Sequence, residues 1–392
     1  MATPHNLYIH VPFCASKCNY CAFHSTACAP DWEKYADGII RDIEYWAKRM
    51  PFQIPGSGCA SPGMTPVPTI FFGGGTPSLM PVSIFVRIMD AVRANFDVAA
   101  GTEVTLESNP GTLNAARLSE FIAAGVNRLS IGVQSLDNEV LKFLGRRHSA
   151  QDARELIRYA QSAGIRVSGD FIYGLPGQTV RDVRKMCRDI LELGLSHASL
   201  YELSIEPGTP FAKREIKVPA DEVMAEMYQA IGEGFLPRYE ISNYAAPGSE
   251  CRHNQNIWAG QPYIGIGPSA AGRILIDGNW YEQDNPKNIS DWMKTLPGHY
   301  AATPLMEGNT RAVEKIITGL RTTRGVELTD DVRSVIDWEF INSNPEYFLL
   351  TTTPSSANAD ATPSQCEGEL TFVSVSNKGI LILDSLLTNV IK

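Results

Sequence analysis

Short apolar runs alternate with amphipathic stretches over the first 210 residues. Runs at 6–11, 68–72, 103–107, 128–132, 166–172 and 197–203 are brief and bounded by turn residues, which predicts strands. Between them, apolar positions recur with helical spacing at 31–49, 78–96, 114–124, 137–144, 150–163 and 179–193. This βα alternation predicts a parallel sheet with right-handed crossovers. Six repeats rather than eight predict a partial, open (β/α)6 barrel within an α/β fold, not a closed barrel.

Beyond about 215 the pattern loosens. Helical spacing returns at 221–235 and 309–321, and 239–273 is rich in turn residues. The expected division is therefore a partial barrel over 1–215 and a C-terminal α+β accessory domain over 216–392. The Pro- and Gly-rich stretch 51–67 predicts a surface loop, and the low-complexity stretch 353–369 a mobile one. The tail, with the run Leu370-Thr-Phe-Val-Ser-Val375 and a final helical pattern, predicts the wing and last helix of a winged-helix-like end.

Composition narrows the function classes. At 392 residues, 44% hydrophobic and 20% charged, the chain can bury a barrel-sized core and a smaller second one. A formal net charge of −9 argues against general nucleic-acid binding, which needs dense Lys and Arg. No apolar run reaches the ~18 residues that a spanning helix requires. Met1-Ala-Thr-Pro-His5 lacks the basic and apolar regions of a signal peptide. Cys28, Cys59, Cys187, Cys251 and Cys366 are scattered without motif spacing and read as reduced structural residues in a cytoplasmic protein.

Three further cysteines stand close together, as Cys14-Ala-Ser-Lys-Cys18-Asn-Tyr-Cys21, directly after the first strand run. Cluster ligation normally takes four thiolates, so a three-cysteine loop predicts a [4Fe–4S] cluster with one iron left open. Zinc is the alternative, with His24 and Cys28 as candidate extra ligands, although no second C-x2-C or H-x3-H pair follows at the usual interval.

In parallel barrels, ligands bind at the C-terminal ends of the strands, and the informative polar groups fall there. The second strand leads into Gly73-Gly-Gly-Thr76-Pro77, whose glycines admit close backbone approach to a ligand. The third ends in Glu107-Ser-Asn-Pro110, the fourth in Gly132-Val-Gln134, and the fifth supplies Asp170 before Tyr173-Gly-Leu-Pro176; Arg146 follows the fourth. Carboxylates suit hydroxyls and cations, an amide suits a heterocycle edge, and Arg takes a carboxylate bidentately.

The C-x3-C-x2-C loop resembles that of the radical SAM proteins, where the open iron is chelated by the amino and carboxylate groups of S-adenosylmethionine. The glycine run resembles their GGTP motif. More narrowly, Tyr8-Ile-His-Val-Pro-Phe-Cys14, Phe71-Phe-Gly-Gly-Gly-Thr-Pro77, Asp170-Phe-Ile-Tyr-Gly-Leu-Pro176, Tyr239-Glu-Ile-Ser-Asn-Tyr244 and Cys251-Arg-His-Asn254 with Trp258 resemble one branch. That branch holds the oxygen-independent coproporphyrinogen III oxidases and the heme chaperones of the HemW type. The resemblance implies that Cys14, Cys18 and Cys21 ligate the cluster. It implies that Tyr8, Tyr20, Gly74, Gly75, Thr76, Glu107, Gln134, Arg146 and Asp170 contact S-adenosylmethionine.

Oxidases of the branch resemble C-x3-C-x2-C-x-C, whereas here Phe23 occupies the last position, as in the chaperones. The stretch His253-Asn-Gln-Asn-Ile-Trp258 resembles the chaperones' HNxxYW motif, implying heme as cargo with His253 and Trp258 as contacts. Ile257 departs from that motif's Tyr, and Ala271 stands where relatives often carry His. The resemblance thus implies a heme chaperone serving a heme-accepting protein, with an electron donor protein for the cluster. Cleavage of S-adenosylmethionine to a 5′-deoxyadenosyl radical is the chemistry such a cluster would supply. Rival expectations are oxidative decarboxylation of coproporphyrinogen III, and radical chemistry on an unrelated substrate.

Overall fold

The computed structural model describes residues 3–50, 52–53, 62–295, 303–304, 309–351 and 372–391. The expected mobile stretch 353–369, most of the loop expected at 51–67, and Cys59 and Cys366 lie outside the described residues.

Each predicted repeat is present. The strands are β1 (Asn6–Val11), β2 (Thr69–Gly74), β3 (Glu103–Ser108), β4 (Arg128–Gln134), β5 (Arg166–Tyr173) and β6 (His197–Glu202). The helices between them are α1 (Trp32–Arg49), α2 (Val82–Asn95), α3 (Ala115–Ala123), α4 (Asn138–Leu144), α5 (Ala150–Ser162) and α6 (Val180–Glu192). Helix starts are where the residue types place them. Ser149 with Asp152, and Thr179 with Asp182, form capping boxes, while Asp31, Asn114 and Asp137 cap with one side chain each. Neighbouring strands pair in parallel from β1 through β6 in chain order.

Strand alternation decides what the sheet encloses. Leu7, Ile9, Val11, Ile70, Phe72, Val104, Leu106, Leu129, Ile131, Val133, Phe171 and Leu200 are buried and apolar. Interleaved with them, on the opposite face, are Asn6, Tyr8, His10, Thr69, Glu103, Thr105, Glu107, Arg128, Ser130, Ser168, Asp170, His197 and Ser199. The helices cover the first face, so the second lines a polar lumen. Its lower end is closed by partnered groups: Thr69 Oγ1 donates to Asn6 Oδ1 (2.8 Å), Arg166 pairs with Glu103 (3.0 Å), and Ser168 Oγ meets His197 Nδ1 at 2.7 Å. Towards its upper end stand Tyr8, His10, Glu107 and Asp170.

A seventh parallel strand, β7 (Tyr263–Ile266), flanks β1 on its free side and is followed by antiparallel strands Ala271–Ile276 and Asn279–Asp284. The compact first unit is therefore 1–230 with 262–304, and the second is 231–261 with 305–392. This differs from a single cut at 215. The return is held by α1, where buried Asp42 accepts from Gly267 N (3.2 Å) and from the Trp292 indole (2.8 Å). Arg41 donates to the carbonyls of Met293 (2.8 Å) and Trp292 (3.0 Å).

The second unit contains helix α8 (Arg252–Trp258); the helix Asp221–Gly232, which precedes it, is α7. It also holds helices Thr310–Gly319, Asp330–Val335, Trp338–Ser343 and Leu383–Val390. A three-stranded antiparallel sheet joins Val326–Glu327, Phe372–Val375 and Phe348–Thr351. Its core is Val326, Val332, Ile336, Phe348, Val373 and Leu386. Among the described residues, no helix is long and apolar enough to cross a membrane.

Candidate cluster and cofactor site

The cysteine loop leaves the end of β1 and is tied shut at its base. Phe13 bridges Thr26, with Cys14 N donating to Thr26 O (3.0 Å) and Thr26 N to Pro12 O (2.7 Å). Its middle is pinned by Asn19, which donates to the carbonyls of Leu144 (backbone N, 3.0 Å) and Phe143 (side chain, 2.8 Å) at the end of α4. These carbonyls have no partner inside the helix, so the loop itself caps it. Cys14, Cys18 and Cys21 are half-buried, and Phe23 is 72% exposed, so it contributes little packing to the loop.

A chain of hydrogen bonds links two of the cysteines. Thr76 Oγ1 donates to Cys14 Sγ (3.6 Å), and Asn109 Nδ2 donates to Thr76 Oγ1 (2.9 Å). Arg146 Nη2 donates to Asn109 Oδ1 and to Gly132 O (2.6 Å), while Arg146 Nη1 donates to Cys18 Sγ (3.4 Å). The guanidinium only donates, which fixes the amide's orientation. Tyr20 also hydrogen-bonds Arg146, and burial raises its phenol pKa. Burial likewise pushes the Cys21 thiol up.

Glycines let these groups converge. A Cβ on Gly132 would meet Asn109 Oδ1 at 2.7 Å and Arg146 Nη2 and Gln134 Nε2 at 3.0 Å. Gln134 follows the irregular register at the end of β4 and has φ 65°, costly for a side-chain-bearing residue and common at ligand sites. A Cβ on Gly75 would meet the Phe13 carbonyl oxygen at 2.6 Å. The GGTP turn and the start of the cysteine loop are thus packed backbone to backbone.

Below the loop lie two lumen carboxylates. Glu107 accepts from Gly74 N (3.0 Å), and Asp170 accepts from Ser130 Oγ (3.3 and 3.2 Å). Burial, then the nearby Asp170 charge, pushes Glu107 up to about 8. Burial pushes Asp170 up to about 6, against hydrogen bonds from Ser199 and Ser130 and the charges of Arg128 and Arg146. Tyr8 stands beside them, its OH 3.0 Å from His10 Nδ1, with its phenol pKa raised by burial and then by Glu107. Two carboxylates that resist joint ionisation are a receptor for a cation, which removes their repulsion.

The structure thus gathers Tyr8, Tyr20, Gly74, Gly75, Thr76, Glu107, Gln134, Arg146 and Asp170 in one unit around the loop's cysteines. That donor set fits the cluster and S-adenosylmethionine: three thiolates in a closed loop, and acidic groups for a cationic ligand. Among the described residues, no three His, Cys, Asp or Glu side chains converge as ligands of a single metal ion. In a cubane each thiolate binds its own iron, so the triad need not meet at one point. Asn109, unassigned by sequence reasoning although it sits in the motif Glu107-Ser-Asn-Pro110, is the joint of the hydrogen-bond chain.

His253 and Trp258 belong to the second unit and are not brought together. His253 is buried, whereas Trp258 lines a cavity of about 680 Å3 from which His253 is absent. Five residues apart on α8, they point about 140° apart at 100° per residue.

A family model described as the Radical SAM superfamily matches residues 8–190. Heme chaperone HemW of Escherichia coli (strain K12) is 38% identical over 280 residues, covering 70% of this chain and 71% of that protein. Radical S-adenosyl methionine domain-containing protein 1, mitochondrial, of Danio rerio is 31% identical over 409 residues, covering 98% of this chain and 86% of that protein. Among solved structures, the coproporphyrinogen III oxidase HemN of Escherichia coli superposes with a TM-score of 0.76 at 19% identity, covering 99% of this chain and 90% of that one. That last likeness establishes the fold.

Fold, cysteine loop and matched segment together define a radical SAM protein. Within that class, the chain belongs to the HemW family.

Proposed function

We propose that this protein is a heme chaperone: a radical SAM iron–sulfur protein that binds heme and passes it to a heme-requiring protein in the cytoplasm. Family membership supports the reading, and one observation in the chain carries it against decarboxylation. The position where the oxidases have a fourth cysteine holds Phe23, an exposed side chain with no thiolate to offer the cluster or substrate. Cys14, Cys18 and Cys21 would hold a [4Fe–4S] cluster. Tyr8, Tyr20, Gly74, Gly75, Thr76, Glu107, Gln134, Arg146 and Asp170 would hold S-adenosylmethionine. When bound, this pair supplies one-electron chemistry at a sulfonium, driven by an electron donor protein.

The chain's own residues have separable tasks. Thr76 and Arg146 donate to the sulfurs of Cys14 and Cys18 and so fix where these two side chains sit. Glu107 and Asp170 would accept the ligand's positive charge. The accessory domain, with its winged-helix-like end, would carry the heme, on the side that Trp258 marks.

Anaerobic reconstitution with iron and sulfide, followed by heme titration and a coproporphyrinogen III assay, tests this. A Soret shift on adding heme and no protoporphyrinogen are expected. Turnover of coproporphyrinogen III would replace the chaperone reading with the oxidase one.

A further inference from the structure

The large cavity of the second unit has an unspent donor in its wall. It is lined by Arg238, Tyr239, Glu240, Trp258, Lys315 and Arg324, among others. Its volume of about 680 Å3 lies within the ~300–1,000 Å3 of small-molecule sites. Several polar groups of the lining are engaged within the protein. Lys315 pairs with Asp331 at 2.9 Å. The Tyr239 OH accepts from Cys251 N at 3.3 Å, and Glu240 accepts from Asn243 Nδ2 and from Ser242 N (3.4 Å).

Arg238, whose charge also acts on Glu240, keeps one donor in reserve. Its Nη1 is buried and has no hydrogen-bond partner. A buried, unpaired guanidinium nitrogen is costly to keep, and a carboxylate is its natural bidentate complement. Arg324, exposed at the same cavity, adds a second cation, and Trp258 adds a flat aromatic face. Glu250 and Glu327 also line the cavity, half-exposed and exposed respectively, where water screens them.

We infer that this cavity takes a planar aromatic ligand bearing carboxylates, Arg238 anchoring a carboxylate and Trp258 stacking on the ring. Resting on the heme-carrier reading, the ligand is heme, held by its propionates and its face. The described lining contains no His, Cys or Met, and His253 lies buried elsewhere on α8. Tyr239 is the one phenol in that lining and its OH is held by Cys251 N, so ligation of the iron is left to the recipient. Cargo gripped at its periphery is released by a partner that ligates its centre, which suits a carrier.

The test titrates the full-length protein with three probes: heme, metal-free protoporphyrin IX, and protoporphyrin IX dimethyl ester, following Trp fluorescence and porphyrin absorption. Heme and protoporphyrin IX should bind within a few-fold of each other, while the ester should bind at least about tenfold more weakly, the worth of a charge-assisted contact. Arg238→Met should reproduce the ester's loss for heme on a wild-type background fold. The ester comparison needs no variant, so it decides the matter even if Arg238→Met does not fold. An ester that binds as tightly as the acid overturns the site, as does heme binding that His253→Ala abolishes and protoporphyrin IX does not share. Heme that fails to bind wild-type protein at all sinks the carrier reading itself.

Discussion

Glu107 makes the stability of the unliganded protein depend on pH in an unusual direction. Burial beside Asp170 raises its carboxyl from 4.5 to about 8 in the folded protein. Below pH ~4.5, folded and unfolded chains are both protonated there and Glu107 imposes no penalty. As pH rises, the unfolded chain ionises first, so stability falls until about pH 8 and then levels off. The interval from 4.5 to about 8 corresponds to roughly 5 kcal/mol at about 1.4 kcal/mol per pH unit. Glu107 keeps some exposure to the lumen, so solvent screening reduces this, and about 2 kcal/mol is expected. Glu107→Gln removes the titration and keeps an acceptor for Gly74 N. Thermal unfolding of both proteins from pH 5 to 8 reads Glu107 together with its coupling to Asp170, because the remaining titrating groups are common to the two. The Tm of the variant should gain on wild type by about 4–8 °C across that range. A difference that stays flat, or that favours wild type at pH 8, would refute the placement of a buried, charge-opposed carboxyl at this point.

Other perturbations probe the backbone and the hydrogen-bond chain. Gly75→Ala sets a methyl against the Phe13 carbonyl, so it should cost about 1–3 kcal/mol and lower the iron content after reconstitution, measured by chemical denaturation and iron analysis. Asn109→Ala strips a donor from Thr76 and an acceptor from Arg146. It should weaken S-adenosylmethionine binding by about tenfold in calorimetry, and an unchanged affinity would remove Asn109 from the site. Cys14→Ala, Cys18→Ala or Cys21→Ala should each abolish the iron–sulfur absorption, and zinc bound without iron in wild type would overturn the cluster assignment. Asp42→Ala should cost about 2–4 kcal/mol by leaving the Trp292 indole and Gly267 N unpaired, as read by urea unfolding.

Much of the barrel was legible because its signals are local. Apolar runs and helical spacing place each strand and helix within a few residues, and the motif residues fall at strand ends because parallel sheets present their loops there. The polar lumen was equally present, as the alternation of Asn6, Tyr8 and His10 with Leu7, Ile9 and Val11, but reading strands as apolar runs passes over it. The return of 262–304 to the first unit left no local trace. It rests on Asp42 meeting Gly267 and Trp292, 225 and 250 residues away. The likeness of His253-Asn-Gln-Asn-Ile-Trp258 to a heme motif suggested two contacts at one ligand, and helix geometry separated them.

The sequence by itself determined the chemistry on offer: three thiolates in a tight loop, carboxylates at successive strand ends, and a phenylalanine where the oxidases have another cysteine. Residue type and spacing suffice for that, since they set which ligands can be held. Tertiary structure alone decided how those groups act together. Only folding closes Cys14, Thr76, Asn109, Arg146 and Cys18 into one hydrogen-bonded chain. Only folding forces Glu107 and Asp170 into shared burial, and leaves the Nη1 of Arg238 buried without a hydrogen-bond partner. Desolvation and hydrogen-bond partnership depend on distances between residues far apart in the chain, and no local pattern encodes them.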